Sequence, residues 1–279
     1  MQQRSFGPVG VAVPVVGQGT WRVRSANRAA SLRALRRGIE LGMTHIDTAE
    51  MYDDAEDVVA EAISGCRDRV FLVSKVLPEH ASAKGTVTAC ERSLKHLKTD
   101  RLDCYLLHWQ GSHPLEDTIQ GFERLVSDGK IRSWGLSNFD ARDLDEARRI
   151  AGPGRIACNQ VLYHLGQRGI EHAVLPWCEA EGVALVAYTP FGPDEFPSPR
   201  SRGGRVLGEV AAKHSATPRQ VALAFLLRPA CSFTIPKSSD PAHTEENAGA
   251  GSLELDDEDL ARIDAAFPRG PEPRSLPML

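Results

Sequence analysis

Eight short runs of β-branched and apolar residues alternate along the chain with amphipathic stretches of helical length. The runs are VVGQG (15–19), THID (44–47), VFLVSK (70–75), LDCYLLH (102–108), IRSWGLSN (131–138), IACNQ (156–160), VALVAY (183–188) and SFTIPK (232–237). Strand and helix in regular rotation imply parallel strands joined by helical crossovers. Eight such units over 279 residues predict a (β/α)8 TIM barrel, which occupies about 250 residues as one domain.

The intervening segments follow a period near 3.6. In 29–42, Leu32, Leu35, Ile39 and Leu41 mark an apolar face and Gly42 stops the helix. Segments 86–100 and 114–130 behave alike, the second with Pro114 near its start and Gly129 just past its end. Thr217 is placed as an N-cap with Pro218 at the first helical position, and an extra C-terminal helix over 255–267 carries acids in its first turn, where the helix dipole favours them. Gly7, Pro8 and Pro14 break the apolar N-terminus, so residues 1–17 read as a short β-hairpin. No linker divides the chain, and 1–279 is expected to be one barrel domain. The proline-rich tail 268–279 should lie loosely over the surface or the barrel mouth, and the arginine-rich segment 197–205 should be a solvated loop able to close over a bound cofactor.

A formal charge of −4 supplies no basic surface for a polyphosphate backbone, so nucleic acid is not an expected partner. No apolar run approaches the roughly 20 residues of a membrane span, and no leader pattern is seen, so no membrane association and a cytoplasmic location are expected. Six cysteines are scattered without a CxxC pair, which predicts no metal site; Cys104 and Cys158 fall in strand runs and are read as packing.

The C-terminal ends of parallel barrel strands form the functional face. Polar residues collect there: Asp47 and then Tyr52 after strand two, Lys75 after three, His108 after four, Ser137 and Asn138 after five, Asn159 and Gln160 at six, Tyr188 at seven, Lys237 and Ser238 at eight. An isolated tyrosine is a poor acid at neutral pH, its pKa being near ~10. An ammonium about 4 Å away would favour the phenolate by up to about 4 kcal/mol, which predicts Tyr52 as a proton donor lowered by Lys75. Asp47 would hold Lys75, and His108 would orient a substrate oxygen. Protonating a carbonyl is productive only if two electrons reach its carbon. Ser137, Asn138 and Gln160 suit a carboxamide, Tyr188 offers a ring for a nicotinamide, and Lys237 and Ser238 precede a helix whose free N–H groups suit an anion. Each residue alone has a structural explanation, and His45 and His96 are read as core histidines. Joint placement carries the functional expectation. No GxGxxG unit follows a strand: Gly17 and Gly19 are followed by Arg22 in the third position.

The segments GQGTW (17–21), HIDTAEMY (45–52), VFLVSK (70–75), DCYLLHW (103–109), KIRSWGLSNF (130–139), NQVLYH (159–164), AYTPFG (187–192) and IPKSSDPAHTEEN (235–247) resemble the aldo-keto reductases, in order and over nearly the whole chain. The resemblance implies a monomeric, metal-free barrel that reduces aldehydes and ketones with NADPH. It implies Asp47, Tyr52, Lys75 and His108 as the catalytic four. Thr20, Asp47, Ser137, Asn138, Gln160, Tyr188, Thr189, Phe191, Ile235, Pro236, Lys237, Ser238, His243, Glu246 and Asn247 would lie along the cofactor, and Trp21, Met51 and Trp109 along the substrate. His243 stands where the family usually has an arginine for the 2′-phosphate, so NADH becomes possible beside NADPH. The compact length resembles bacterial members that reduce small aldehydes and dicarbonyls such as methylglyoxal. Two alternatives remain at this stage: a Schiff-base aldolase using Lys75, and a nicotinamide-binding regulatory barrel with negligible turnover.

Overall fold

A computed structural model describes residues 1–193 and 196–279. A two-stranded antiparallel hairpin, β1 (Gln3–Ser5) and β2 (Ala12–Pro14), leads into eight parallel strands. These are β3 (Gln18–Gly19), β4 (His45–Asp47), β5 (Phe71–Val76), β6 (Leu102–Leu107), β7 (Ile131–Ser137), β8 (Ile156–Leu162), β9 (Ala184–Tyr188) and β10 (Ser232–Thr234), each paired with its sequence neighbour. Each of the eight expected runs overlaps one of them, with β5 and β8 extending past the expected ends to Val76 and Leu162. Between β10 and β3 the cylinder is closed by parallel bridges at Val16–Thr234 and Gly19–Lys237, with Gly17 N–H on Thr234 O at 2.8 Å and Gly19 N–H on Pro236 O at 3.2 Å. A side chain at Gly19 would put its Cβ 2.6 Å from Ile235 O, so glycine is what lets this seam shut.

Helices α1 (Arg28–Glu40), α2 (Ala55–Ala62), α3 (Ala83–Leu97), α4 (Leu115–Ser127), α5 (Ala141–Ala151) and α6 (Val174–Glu181) fill one crossover each. The β9–β10 crossover holds two, α7 (Arg202–Lys213) and α8 (Pro218–Leu226), and α9 (Pro241–Gly249) and α10 (Asp257–Ala266) follow. Thr217 caps α8 with Pro218 behind it, and Asp256 caps α10, whose first turn is acidic, as expected. One apolar layer lies between strands and helices, and a second fills the cylinder with Phe71, Val73, Cys104, Leu106, Cys158, Val186 and Phe233. Phe6, from the hairpin, packs on Phe71 and Phe233 and plugs the end opposite the strand C-termini. Among the described residues no helix is long and apolar enough to cross a membrane.

Two expectations are corrected. Residues 202–205 are the first turn of α7, not loop: Ser201 Oγ accepts Gly204 N–H at 3.0 Å, and Gly203 and Gly204 pack where larger residues would collide with Phe267 and Ser198. Asp194 and Glu195, which precede that segment, lie outside the described residues. His96 is not in the core; it is exposed on α3 with Nδ1 3.3 Å from Asp57. His45 is in the core, but neither ring nitrogen has a hydrogen-bond partner, and aromatic edges surround it instead. The tail does reach the barrel mouth, and it is tethered on the way: Arg168 donates to Phe267 O at 2.6 Å, and His172 Nε2 lies 3.1 Å from Gly270 O.

Candidate active site

Successive inward-facing side chains on a strand are two residues apart. On β5 that series is Phe71, Val73, Lys75; on β6 and just past it, Cys104, Leu106, His108; beyond β10, Phe233, Ile235, Lys237. The lower layers are apolar and the top layer is polar, which gathers the predicted groups at one rim. One pocket of about 150 Å³ is lined by Thr20, Trp21, Asp47, Met51, Tyr52, His108, Trp109, Ser137, Asn138, Gln160, Tyr188, Thr189, Ile235 and Lys237, joined by Gly19, Pro190 and Leu279.

Lys75 does not line the pocket; fully buried behind Asp47 and Tyr52, it donates to Asp47 Oδ1 at 2.5 Å and to Thr48 O at 2.9 Å. Asp47 Oδ2 accepts Gln160 Nε2 at 2.7 Å, and Thr20 Oγ1 donates to Asp47 O at 2.9 Å. The ammonium lies 5.0 Å from the centre of the Tyr52 ring, and the Tyr52 hydroxyl lies 3.4 Å from His108 Nε2. Burial drives the Lys75 ammonium down, but Asp47 and Tyr52 outweigh it and hold the group above its usual value. His108 is pushed down to about 2 by burial and by Lys75, so its imidazole is neutral and has one N–H to give.

Tyr52 departs from expectation in sign. Burial pushes the phenol above its ordinary value; Lys75 pulls it back without cancelling that rise, and Asp47 adds to it. Loss of hydration in a closed mouth costs the phenolate more than an ammonium already paired to Asp47 returns. The phenol is therefore held protonated, ready to donate, and Lys75 eases a release that burial alone would make harder.

The other rim is a hydrogen-bonded plate. Ser137 Oγ donates to Gln160 O at 2.9 Å, Asn138 Nδ2 to His108 O at 3.1 Å, and Tyr188 Oη to Asn138 Oδ1 at 2.9 Å. Asn138 has φ +63°, which asparagine tolerates, and Thr189 has φ +51°, a strained value for a β-branched residue directly after Tyr188. Burial pushes the Tyr188 phenol up to about 12.

Several expected cofactor residues lie off the pocket. Phe191 stacks edge-on against Phe196 under Arg219. Pro236 serves the seam through its carbonyl, Ser238 Oγ turns to Asp240 O at 2.8 Å, His243 is exposed on α9, Glu246 accepts Thr217 Oγ1 at 2.6 Å and Asn247 is buried. The N–H groups opening α9 are not all free, because Asp240 Oδ1 takes that of Ala242 at 2.9 Å; Lys237 Nζ sits 2.5 Å from Ser239 Oγ. Gly19, Pro190 and Leu279 were missed. Pro190 lies inside the AYTPFG segment, whereas nothing in the local sequence marks Leu279.

The sequence profile of the Aldo/keto reductase family matches residues 15–267. The chain is 45% identical over 277 residues to methylglyoxal reductase YeaE of Escherichia coli (strain K12), covering 96% of each chain. It is 34% identical over 258 residues to a glyoxal reductase of Bacillus subtilis, covering 92% of this chain and 90% of that one. Among solved structures it superimposes with a TM-score of 0.92, at 41% identity and full coverage of both chains, on an aldo/keto reductase from Klebsiella pneumoniae in complex with NADP and acetate.

Proposed function

Because the chain belongs to the aldo/keto reductase family, we propose that Tyr52 protonates the oxygen of small aldehydes and dicarbonyls such as methylglyoxal as they are reduced. The protein is an NADPH-dependent carbonyl reductase. The observation that carries the assignment of the acid is the Tyr52 hydroxyl 3.4 Å from His108 Nε2, with Lys75 beside its ring and Asp47 behind.

The donor set fits a nicotinamide. Ser137, Asn138 and Gln160 would hold its carboxamide and the Tyr188 ring would lie against it. Lys237, with Thr20 and Ser238, would meet the phosphates, and His243, Glu246 and Asn247 the adenosine end. When bound, NADPH is the source of the hydride that reduces the carbonyl carbon. His108 donates to the carbonyl oxygen and orients it toward Tyr52, and Tyr52 delivers the proton from Oη. Trp21, Met51 and Trp109 border the opening and exclude water around a small substrate. The Schiff-base alternative loses its support, since Lys75 is 0% exposed and held as an ammonium, so it offers no lone pair to a substrate carbon.

Loss of NADPH absorbance with methylglyoxal, glyoxal and simple aldehydes tests the proposal. Tyr52→Phe is expected to lower kcat by about a hundredfold or more with NADPH affinity unchanged. A Tyr52→Phe enzyme with most of its activity would show the acid to be misassigned. NADPH binding by the wild type with no carbonyl consumed would favour a regulatory barrel. The same reading treats the chain as a single-domain monomer, which sedimentation equilibrium checks.

A further inference from the structure

Tyr52 stands on a connection, residues 48–54 between β4 and α2, whereas Lys75 belongs to β5. A phenol on a loop stays beside a strand-borne ammonium only if something fixes the loop to that strand. Two carboxylates bracket Tyr52 in the sequence, Glu50 two residues before and Glu56 four after, and both reach the segment that carries Lys75. Glu50 Oε1 accepts Leu77 N–H at 2.7 Å, and the Glu50 N–H donates to Lys75 O at 3.3 Å. Arg92 donates to Glu50 Oε2 at 3.0 Å and His80 Nδ1 lies 3.0 Å from Oε1, on a side chain only 10% exposed. Glu56 is buried in the first turn of α2, and its Oε1 accepts the Ser74 hydroxyl at 2.7 Å. The attachments thus fall one residue before Lys75 and two after it.

Surface acids in a helix's first turn or at a loop edge do not need partners on one particular strand. A buried carboxyl is costly unless its bonds are specific. We propose that Glu50 and Glu56 are positioning residues that clamp the Tyr52 connection onto β5 and so set the approach of the phenol to the Lys75 ammonium. This rests on Tyr52 being the proton donor. The titratable groups facing Tyr52 are Lys75, Asp47, the neutral His108 and Tyr188; Glu50 faces Arg92, His80 and Tyr105; Glu56 faces Ser74 and Ser93, with His96, Glu50, Cys90 and Tyr105 as the titratable groups around it.

The test uses Glu50→Ala, Glu56→Ala and the corresponding glutamine variants, whose side-chain carbonyl keeps an acceptor. Each alanine variant is expected to lose between about tenfold and a hundredfold in kcat, the scale of a small misplacement, with KM and NADPH affinity held. The alkaline limb of the kcat profile should move to higher pH, because a phenol farther from the ammonium is harder to ionise. The glutamine variants should recover most of both. Folded alanine variants with wild-type kcat and alkaline limb overturn the clamp, as does a loss spread equally over kcat, KM and cofactor affinity with no pH shift. If Glu56→Ala does not fold, Glu50→Ala decides alone. Tyr52→Phe, assayed in parallel, separates the two claims: if it stays active the acid is misassigned, and if it is inactive while the glutamate variants match wild type, only the clamp fails.

Discussion

Asp47 is 1% exposed, and its charge is tolerable there because Lys75 and Gln160 bond its two oxygens. Lys75→Met removes the cation and strands the carboxylate, so a destabilisation of about 3–5 kcal/mol is expected in urea unfolding, together with loss of NADPH oxidation. His45 makes the opposite choice and is buried neutral among Phe6, Phe71 and Phe233. Burial, countered by Asp47 and reinforced by Lys75, pushes it down to about 4 from 6.5, and His108 is down at about 2. Between pH 6.5 and 4 the unfolded chain takes up a proton at each site that the folded protein refuses. The stability from these two groups is complete above pH 6.5 and falls with pH through that window, by up to about 1.4 kcal/mol per unit for each. His45→Leu should remove one of the two contributions, which denaturant titrations at several pH values will read. Lys75 and His108 were legible because polar residues ending apolar runs are conspicuous, and Tyr52 because it follows such an end in the HIDTAEMY segment. Glu50 was not, since its partners are a backbone N–H at Leu77 and side chains 30 and 42 residues away. The sign of the Tyr52 shift was equally hidden, because desolvation depends on how completely the rim closes.

At the scale of single elements, α7 shows where pattern reading stops. Ser201, Gly203, Gly204 and the nearby prolines and arginines have the composition of a loop, and beside the Ser201 cap the helix start depends on close neighbours that composition does not contain. A Cβ at Gly204 would lie 2.0 Å from Ser198 O, whereas one at Gly208, four residues on in the same helix, meets nothing within 4 Å. Gly204→Ala should therefore lower the melting temperature, at a cost above about 1 kcal/mol of stability, and Gly208→Ala should raise it, with a gain of about 0.4–1 kcal/mol of stability through the less flexible unfolded chain. Equal effects of the two changes would show that close packing does not govern the helix start. The eight strands and α8 were legible for a complementary reason: alternation, a threonine cap and Pro218 are local signals that the packing leaves intact.

At the scale of the molecule, the pocket draws Thr20 and Trp21 from just past β3 and Lys237 from just past β10, so the cylinder and the site are completed together. His243 sits exposed on α9, near the proposed phosphate end. His243→Arg is expected to raise the ratio of kcat/KM for NADPH over NADH by about tenfold, through a bidentate charge-assisted contact; an unchanged ratio would place 2′-phosphate recognition elsewhere. The seam between first and last strands has a further consequence for how the enzyme comes into being. A ribosome that has made the first two hundred residues has already made Asp47, Tyr52, Lys75 and His108, yet the wall holding them still has a missing stave. No growing polypeptide can turn over substrate until the stretch through Lys237 has emerged and its two distant ends have met, so activity should arise in a single late event during synthesis.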